Sequence, residues 1–264
     1  MRVTVLAENT SKNGLPCEHG LSLFIETKDK RLLFDMGQTD LFARNAVSLG
    51  KDISSVDIAV ISHGHYDHGG GLSAFLELNG TAPVYLSRYA FEPHFNGERY
   101  IGLDTSLQGS SRLVFTDGFA QLAQDISLVS LDTGKDVPVS MPSEGGEAML
   151  RSFSCGDDTL TVPDDFRHEQ YLLIRENGRR ILFSGCSHRG IGAIADAFRP
   201  DALVGGFHFH RLALNDELIS LARDLAGYDT DYYTCHCTGC GQCAFIKPHL
   251  ERASYISTGD SFDI

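Results

Sequence analysis

The chain has 264 residues, of which 42% are hydrophobic and 22% charged, and its formal net charge is −13. This composition is typical of an ordinary globular protein and excludes the disordered and fibrous classes. The acidic balance and the lack of a basic stripe argue against a nucleic-acid-binding protein.

The first part of the chain alternates predicted strands and helices. Short segments rich in Val, Ile, Leu and Phe, each bounded by turn residues, predict strands. These segments are 2–8, 21–27, 31–37 and 57–63. Apolar residues at helical spacing predict helices over 41–50 and 70–80, each of which ends at a glycine.

The segment 88–165 is less regular, because it mixes aromatic residues, Gly, Pro and polar residues. We interpret it as an insertion with short strands and long loops. A loop-rich insertion in a compact domain often serves as a lid or a substrate-binding element. We therefore expect it to lie near the active site and to build much of the substrate pocket.

Regular patterns return after residue 165. The segment 170–186 predicts a hairpin that turns at Glu176-Asn177-Gly178. Strands are predicted over 201–210 and 231–237, and helices over 190–198 and 215–227. Interleaved strands and helices indicate an α/β or α+β class, with sheets covered by helices.

The cellular compartment is predicted from the N-terminal segment and the cysteines. The first 14 residues lack the apolar core of about 7–15 residues of a signal peptide. No apolar run approaches the roughly 18 residues of a membrane span. The seven cysteines are an odd number, and four lie within residues 235–243, a pattern typical of thiols or metal ligands in a reducing compartment. We expect a cytoplasmic protein with no membrane contact.

The densest chemical signal is HGHYDHGGGL, at residues 63–72. His63 and His65 lie two apart after a predicted strand, so both imidazoles point the same way and can share one metal ion. Asp67 and His68 follow in a turn and can face a second ion. Imidazole with carboxylate suits zinc, iron or manganese. The three glycines that follow are expected to let the backbone turn sharply beside the ions.

These residues resemble a known family. HGHYDHGGGL is similar to the H-x-H-x-D-H motif of the metallo-β-lactamase superfamily, and LLFDMG (32–37) is similar to its preceding aspartate strand. Further matching segments are EHGLSLFIET (18–27), GCSHRGI (185–191), VGGFH (204–208) and HCTG (236–239). Together they resemble β-lactamase superfamily II, a subfamily of metal-dependent hydrolases that includes the archaeal dihydropterin–ribofuranosylaminobenzene phosphate synthase.

The resemblance implies a fold and a role for Asp35. The fold is an αββα sandwich in one domain over 1–264, with two mixed sheets face to face, helices outside and metals at one edge. Asp35 is implied to orient a histidine ligand by contacting it.

The downstream ligands are less certain from the sequence. In the superfamily, a histidine precedes a hairpin that ends in F-T-G-D, whose aspartate bridges the metals. Here His168 takes the histidine position, Cys186 replaces the aspartate, and His188 follows two residues later. Two arrangements stay open: a bridging Cys186 thiolate, which favours zinc or iron, or a His188 ligand with Cys186 only lining the pocket. His236 falls at the superfamily's final metal histidine.

The complete expected ligand set is His63, His65, Asp67, His68, Cys186, His188 and His236. We expect His19, His168 and His208 to contact ligands or substrate, and His94 and His249 to be ordinary. The window 233–243 adds Cys235, Cys237, Cys240 and Cys243. C-x-x-C pairs can hold zinc or an iron–sulfur cluster, but four thiols this close are cramped. We expect free thiols beside the main site; a second metal site and a Cys240/Cys243 redox pair are the alternatives.

The resulting functional prediction is a dinuclear metal-dependent hydrolase of a small ester, lactone, thioester or phosphoester. Two divalent cations, zinc first and iron or manganese as alternatives, would sit about 3.5–4 Å apart and turn a bridging water into hydroxide. Asp67 is predicted to shuttle the proton. One alternative is a pterin-related synthase that uses the same metals. Another is a redox or non-enzymatic metal protein, suggested by the cysteines. The sequence leaves the oligomeric state open, including a homo-oligomer.

Overall fold

The structure, a computed structural model, describes residues 1–12, 14–131, 148–155 and 158–264. The strands of the first half are β1 Arg2–Ala7, β2 Ser22–Glu26, β3 Arg31–Phe34, β4 Ile58–Val60, β5 Val84–Ser87, β6 His94–Asn96, β7 Arg99–Tyr100, β8 Leu113–Thr116, β9 Phe119–Ala123 and β10 Ile126–Val129. Those of the second half are β11 Met149–Cys155, β12 Asp158–Pro163, β13 Tyr171–Glu176, β14 Arg179–Ser184, β15 Ala202–Gly205, β16 Asp231–Thr234, β17 Ala253–Tyr255 and β18 Ser261–Asp263. The α-helices are α1 Leu41–Ser48, α2 Tyr66–Gly69, α3 Leu72–Leu78, α4 Ile191–Phe198, α5 Asp216–Ala226 and α6 Cys240–Ile246.

The described strands form two large mixed sheets. The first has the order β18-β1-β2-β3-β4-β5-β8 and the second the order β17-β16-β15-β14-β13-β10-β9. In the first sheet β3, β4, β5 and β8 run parallel to one another. In the second sheet β14, β15, β16 and β17 do the same. Parallel strands deliver the loops after them to one edge of the sheet, and both halves of the candidate site lie at such an edge.

The two sheets pack face to face around an apolar core. Leu23 and Phe34 of the first sheet share this core with Phe183 and Val204 of the second, and the Phe34 and Phe183 rings lie 5.9 Å apart. On strand β2, Leu23 faces this central core, whereas its neighbour Phe24 faces outward. Central strands such as β2, β3 and β15 are therefore buried on both faces, which explains their continuous apolar runs in the sequence.

Helices cover the outer face of each sheet. Phe42 of α1 and Phe75 of α3 pack against the first sheet. Ile194 of α4, Leu225 of α5 and Ile246 of α6 pack against the second. The result is an αββα sandwich, and the predicted fold class is confirmed. No helix among the described residues is long and apolar enough to cross a membrane.

The hairpin of β13 and β14 turns where the sequence predicts. Arg175 pairs with Arg180 and Glu176 with Arg179. Asn177 and Gly178 between them have φ of 53° and 78°, the backbone of a type I′ turn, for which Asn-Gly is a preferred pair.

The segment 88–165 departs from a simple insertion. Strand β8 extends the first sheet, and β9 with β10 extends the second. The other strands form a separate small sheet in the order β12-β11-β6-β7, which is the part of the segment that reaches the candidate site. Residues 132–147 and 156–157 of the predicted insertion lie outside the described residues. The division into one domain with an insertion stays a prediction.

Candidate metal centre

The H-x-H-x-D-H segment lies directly beyond strand β4. The strand ends at Val60, His63 and His65 occupy the loop, and Asp67 and His68 lie on the short helix α2. All four side chains are buried. Buried imidazoles and a carboxylate at one point of the chain require partners, because unpaired buried polar groups are costly.

The glycines after His68 are required by close packing. A Cβ on Gly70 would lie 2.3 Å from the Gln38 carbonyl oxygen, and one on Gly71 would lie 2.3 Å from that of Met36. Gly70 itself has φ −62°, which any residue adopts. The expectation of a sharp glycine turn is wrong at this position; the glycines let α2 and α3 approach the segment that follows β3.

One group of imidazoles consists of His63, His65 and His188. Their candidate ligand nitrogens lie within 4.8 Å of one another. Nε2 of His63, Nε2 of His65 and both nitrogens of His188 are buried without a hydrogen-bond partner. Burial, reinforced by the neighbouring imidazoles, holds the pKa of each well below its usual value. Neutral imidazoles with free lone pairs are the form that binds a cation.

A second group adjoins the first. His68 Nε2 lies 3.2 Å from Cys186 Sγ and 3.2 Å from His236 Nε2. Asp67 Oδ2 lies 3.3 Å from His236 Nε2 and 3.1 Å from His19 Nε2. Burial alone would raise the pKa of Asp67, but His68 and the contacts with His19 and His236 hold it well below its ordinary value. This group therefore offers a carboxylate, two imidazoles and a sulfur at one point.

Hydrogen bonds fix which nitrogen of His63 and His68 is free. Ser62 donates from its backbone N–H and its Oγ to Asp35, at 2.7 and 2.8 Å. The other contacts are His68 Nδ1 to Asp35 Oδ2 at 2.7 Å and His63 Nδ1 to Ser62 Oγ at 2.9 Å. Both Nδ1 atoms therefore carry a proton, and both Nε2 atoms face the centre. Burial alone would lower the pKa of His68, but Asp35 and Asp67 raise it to about 9, so a cation at this ring would displace the Nε2 proton. Asp35 makes the contact expected of a residue that orients a ligand.

His236 is held in the same way by residues of the N-terminal segment. Its Nδ1 lies 2.8 Å from Asn9 Oδ1, and its backbone N–H donates to Glu8 Oε1 at 2.7 Å. Gly20 N–H also donates to Asn9 Oδ1, so this oxygen is an acceptor and His236 Nδ1 carries the proton. Sequence reasoning missed Glu8 and Asn9; the available signal was a carboxylate at the end of an apolar strand.

His188 is positioned by a buried carboxylate and an aromatic ring. Its backbone N–H donates to Glu169 Oε1 at 2.8 Å, and its ring stacks on Phe166 at 4.3 Å. Ser187 before it has φ 57°, and His208 and His236 have φ of 60° and 50°. Left-handed backbone at non-glycine residues is strained, and such strain tends to concentrate at functional sites.

Known proteins resemble this chain over most of its length. Residues 15–235 match the metallo-beta-lactamase superfamily. The chain belongs to this superfamily. The resemblance seen in its motifs is therefore confirmed.

Three relatives cover almost the whole chain. This chain is 29% identical over 249 residues to the uncharacterized protein MJ0448 of Methanocaldococcus jannaschii, with 90% of each chain covered. It is 26% identical over 265 residues to the 7,8-dihydropterin-6-methyl-4-(beta-D-ribofuranosyl)-aminobenzene-5'-phosphate synthase of the same organism, over 90% of this chain and 88% of the synthase. The crystal structure of Tm1679, described as a metal-dependent hydrolase of the beta-lactamase superfamily, has a TM-score of 0.82 at 29% identity, over 100% of this chain and 99% of that one.

His168 departs from the metallo-β-lactamase pattern. Its Nδ1 accepts the Gly64 N–H at 2.8 Å, and its Nε2 lies 3.3 Å from Asp164. Its Nδ1 is therefore occupied, whereas its Nε2 and both nitrogens of His188 are buried without a hydrogen-bond partner. The geometry favours His188 over His168 as the third ligand of the group that contains His63 and His65. The His168 ring packs against that of His65.

His94 is completely buried against the same carboxylate. Its Nδ1 lies 2.8 Å from Asp164 Oδ2, and its ring lies 3.9 Å from that of His168. The expectation that His94 is ordinary is wrong. No spacing in the sequence marks the pair, because 70 residues separate His94 from Asp164.

The cysteine window does not form a single cluster. Cys235 faces the apolar core between the sheets, Cys240 is exposed and Cys243 is buried on α6. Only Cys237 joins a candidate ligand group among the described residues, with Cys186 and His208. Within those residues a four-thiolate site is excluded; a Cys240/Cys243 redox pair stays a prediction.

A small cleft of about 150 Å³ opens onto the centre. Its floor carries residues of the superfamily motifs, and its walls come from the small sheet and from the loop after β15. The lining residues are His19, His65, Tyr66, Asp67, Asn96, Arg99, Ile101, Met149, Cys186, His188, His208, His210, Arg211, His236 and Cys237. The segment 88–165 therefore contributes to this cleft.

Proposed function

We propose that this protein is a dinuclear metal-dependent hydrolase that acts on a small ester of the phosphoester type, with lactones and thioesters as further classes. The observation that carries the proposal is the buried meeting of the two groups. The ligand nitrogens of His63, His65 and His188 lie within 4.8 Å of one another, and His68 Nε2 lies 3.2 Å from both His236 Nε2 and Cys186 Sγ. The likeness to Tm1679, described as a metal-dependent hydrolase, supports it.

The residues fit two divalent cations. His63, His65 and His188 would hold one, and Asp67, His68 and His236 the other, with Cys186 beside His68. Leaving a buried donor or acceptor unpaired costs roughly 1–3 kcal/mol, and a cation would relieve this cost for the orphaned nitrogens of His63, His65 and His188. A donor set rich in imidazole and thiol favours zinc. Such cations lower the pKa of water and polarise a substrate oxygen.

Asp67 and His19 form a route for the proton. The low pKa of Asp67 keeps its carboxylate ionised and makes it a weak base, so it can hold a proton only transiently and pass it on. Asn9 Nδ2 donates to His19 Nδ1 at 3.3 Å, so His19 Nε2 carries the proton that faces Asp67. The His19 side chain is 52% exposed. Asp67 can therefore take a proton inside the cleft and His19 can exchange one with solvent.

Two arginines favour a substrate with a negatively charged group. Arg99 and Arg211 both line the cleft, although the chain as a whole is acidic. Arg99 donates to the Tyr66 hydroxyl at 3.0 Å, and its guanidinium lies 5.2 Å from the Tyr66 ring centre. A guanidinium held in this way suits a phosphate or carboxylate.

The second candidate is a pterin-related synthase. The observation in its favour is the 26% identity to the Methanocaldococcus jannaschii synthase over 90% of this chain. Both candidates need the same cations, so the metal centre alone does not separate them. The proposed small-molecule substrate, the cytoplasmic location and the redox alternative stay predictions.

One experiment tests the main candidate. The purified protein is assayed on a panel of p-nitrophenyl phosphodiesters, lactones and thioesters, before and after EDTA and again after zinc is restored. We expect phosphodiester hydrolysis that EDTA abolishes and zinc restores. His249→Ala, at a half-buried residue away from the cleft, is the matched control for His63→Ala. No hydrolysis of any substrate by zinc-loaded protein would favour the synthase.

A further inference from the structure

Two thiols and an imidazole form another group on the wall of the cleft. Cys186, His208 and Cys237 place their Sγ and ring nitrogen atoms within 4.8 Å of one another. They follow β14, β15 and β16, which are adjacent parallel strands of the second sheet. Parallel strands bring the residues beyond their carboxyl ends to one edge, so the topology itself gathers these side chains.

The backbone makes room for the sulfur of Cys237. A Cβ on Gly206 would lie 2.3 Å from Cys237 Sγ, so only glycine allows this sulfur its place. Both cysteines are 3% exposed, and the Cys237 thiol donates to the Cys186 carbonyl oxygen at 3.4 Å. His208 adopts left-handed backbone with φ 60°, and its Nδ1 is buried without a partner. The group therefore contains an orphaned nitrogen beside two buried sulfurs.

We propose that Cys186, His208 and Cys237 bind a further thiophilic divalent cation, of the zinc type, beside the pair held by the other ligands. Two thiolates and one imidazole, with a fourth position open to the cleft, are a donor set of catalytic zinc sites. Two thiolates also neutralise the divalent charge, which avoids a net buried charge. Binding releases the thiol protons to solvent.

Cys186 links this cation to the pair. It belongs both to the thiol group and to a group with His63 and His68, so its sulfur can bridge. The extra site depends on the thiols and His208, whereas the proposed hydrolytic centre depends on the remaining histidines and Asp67. The two proposals can therefore fail separately.

Cobalt loading of the full-length, reduced protein tests the extra site. We expect about three Co²⁺ per chain and a near-ultraviolet charge-transfer band, which only thiolate ligands give. Cys237→Ser should lose one equivalent of Co²⁺ and much of the band. Cys240→Ser is the matched control, because this thiol is exposed and outside the group; it should keep both.

A second variant tests the extra site independently, so that misfolding of Cys237→Ser does not decide the result. His208→Ala leaves both thiols in place and should also lose one equivalent of Co²⁺. Two equivalents in wild type and in both variants would overturn the extra site while leaving the hydrolytic centre intact. A Cys186–Cys237 disulfide in protein purified without reductant, with no third Co²⁺ after reduction, would overturn it as well. Failure to bind any Co²⁺ would instead remove the hydrolytic proposal together with this one.

Discussion

The tautomers of His63, His68 and His236 are set by neighbours that bind no cation themselves. Ser62 and Asp35 hold the first two rings, and Asn9 holds the third. In each ring the outer nitrogen is held as a hydrogen-bond donor, so the inner nitrogen is the one available to a cation. Residues that hydrogen-bond to a metal-ligating histidine act in this way: they fix the orientation of the imidazole ring and raise its basicity.

Asp35→Asn tests this orientation. The amide has one acceptor oxygen where the carboxylate serves Ser62 and His68 with two, so the His68 ring loses its fixed tautomer. We expect zinc affinity at the second group to fall roughly 10–100-fold, measured by competition with a chromogenic chelator. Asp57→Asn, at a half-exposed ion pair with Lys30, is the matched control. Equal affinity in both variants would show that Asp35 does not orient the ligand.

Asp67→Asn tests the proposed role of Asp67 in catalysis while leaving the fold unchanged. It removes a ligand oxygen and the proposed proton acceptor, so we expect kcat to fall at least 10²-fold, the lower bound of general-base effects. Circular dichroism should stay unchanged, because the amide has the same shape. Activity within a few-fold of wild type would exclude Asp67 from proton transfer.

Arg99→Ala tests the preference for a charged substrate. We expect KM for a phosphodiester to rise about tenfold, since roughly 1.4 kcal/mol of charge-assisted binding is lost, while KM for a neutral lactone stays the same. Arg88→Ala is the control: it removes an exposed ion pair with Asp117 and should change KM for neither substrate. A parallel rise for both substrates would indicate that Arg99 only supports Tyr66.

At the scale of single residues, the sequence predicts which side chains meet only where they are close together in the chain. His63, His65, Asp67 and His68 lie within six positions, so their spacing alone brings them together. His94 and Asp164 meet only because β6 and the end of β12 join one small sheet. That contact depends on tertiary structure, and no residue spacing in the sequence predicts it.

Among the elements, the small sheet of β6, β7, β11 and β12 is tied to the sandwich through buried charge. Asp164 lies between His94 and His168, and these two imidazoles hold its pKa far below the usual value although burial opposes them. His168 in turn accepts the Gly64 N–H between the proposed ligands His63 and His65. The contact connects the wall of the cleft to its floor.

His94→Ala should therefore weaken the whole sheet. It leaves the buried Asp164 carboxylate without one partner, and breaking a buried pair costs about 3–5 kcal/mol. Urea unfolding measures the change, with His249→Ala as the control. A loss below about 0.5 kcal/mol, the size of an ordinary surface substitution, would show that the pair is not structural.

The helices and strands that could be predicted are those with a clear periodic pattern of apolar residues in the sequence. The β13–β14 hairpin and helices α1 and α5 carry clear patterns and turn residues, and they occur where predicted. The strands between 88 and 165 have two to seven residues, and their pairing partners lie in both large sheets and in a third. The sequence of a strand does not reveal which sheet it joins, so the small sheet could not be predicted.

For the molecule as a whole, the motifs identified the superfamily before the fold was visible. The αββα sandwich followed from that resemblance, because strands buried on both faces do not reveal from sequence which sheet they join. The sandwich brings residues near 8, 63, 186 and 236 to one edge, and no local pattern in the chain places all four there. Cations at this edge would tie the two sheets together.

We expect two cations to bind where these segments meet. Anomalous X-ray diffraction at the zinc edge, on crystals of the zinc-loaded protein, locates bound zinc directly. We expect one peak among His63, His65 and His188 and another among Asp67, His68 and His236. Zinc-loaded crystals with no anomalous peak among these side chains would contradict this expectation.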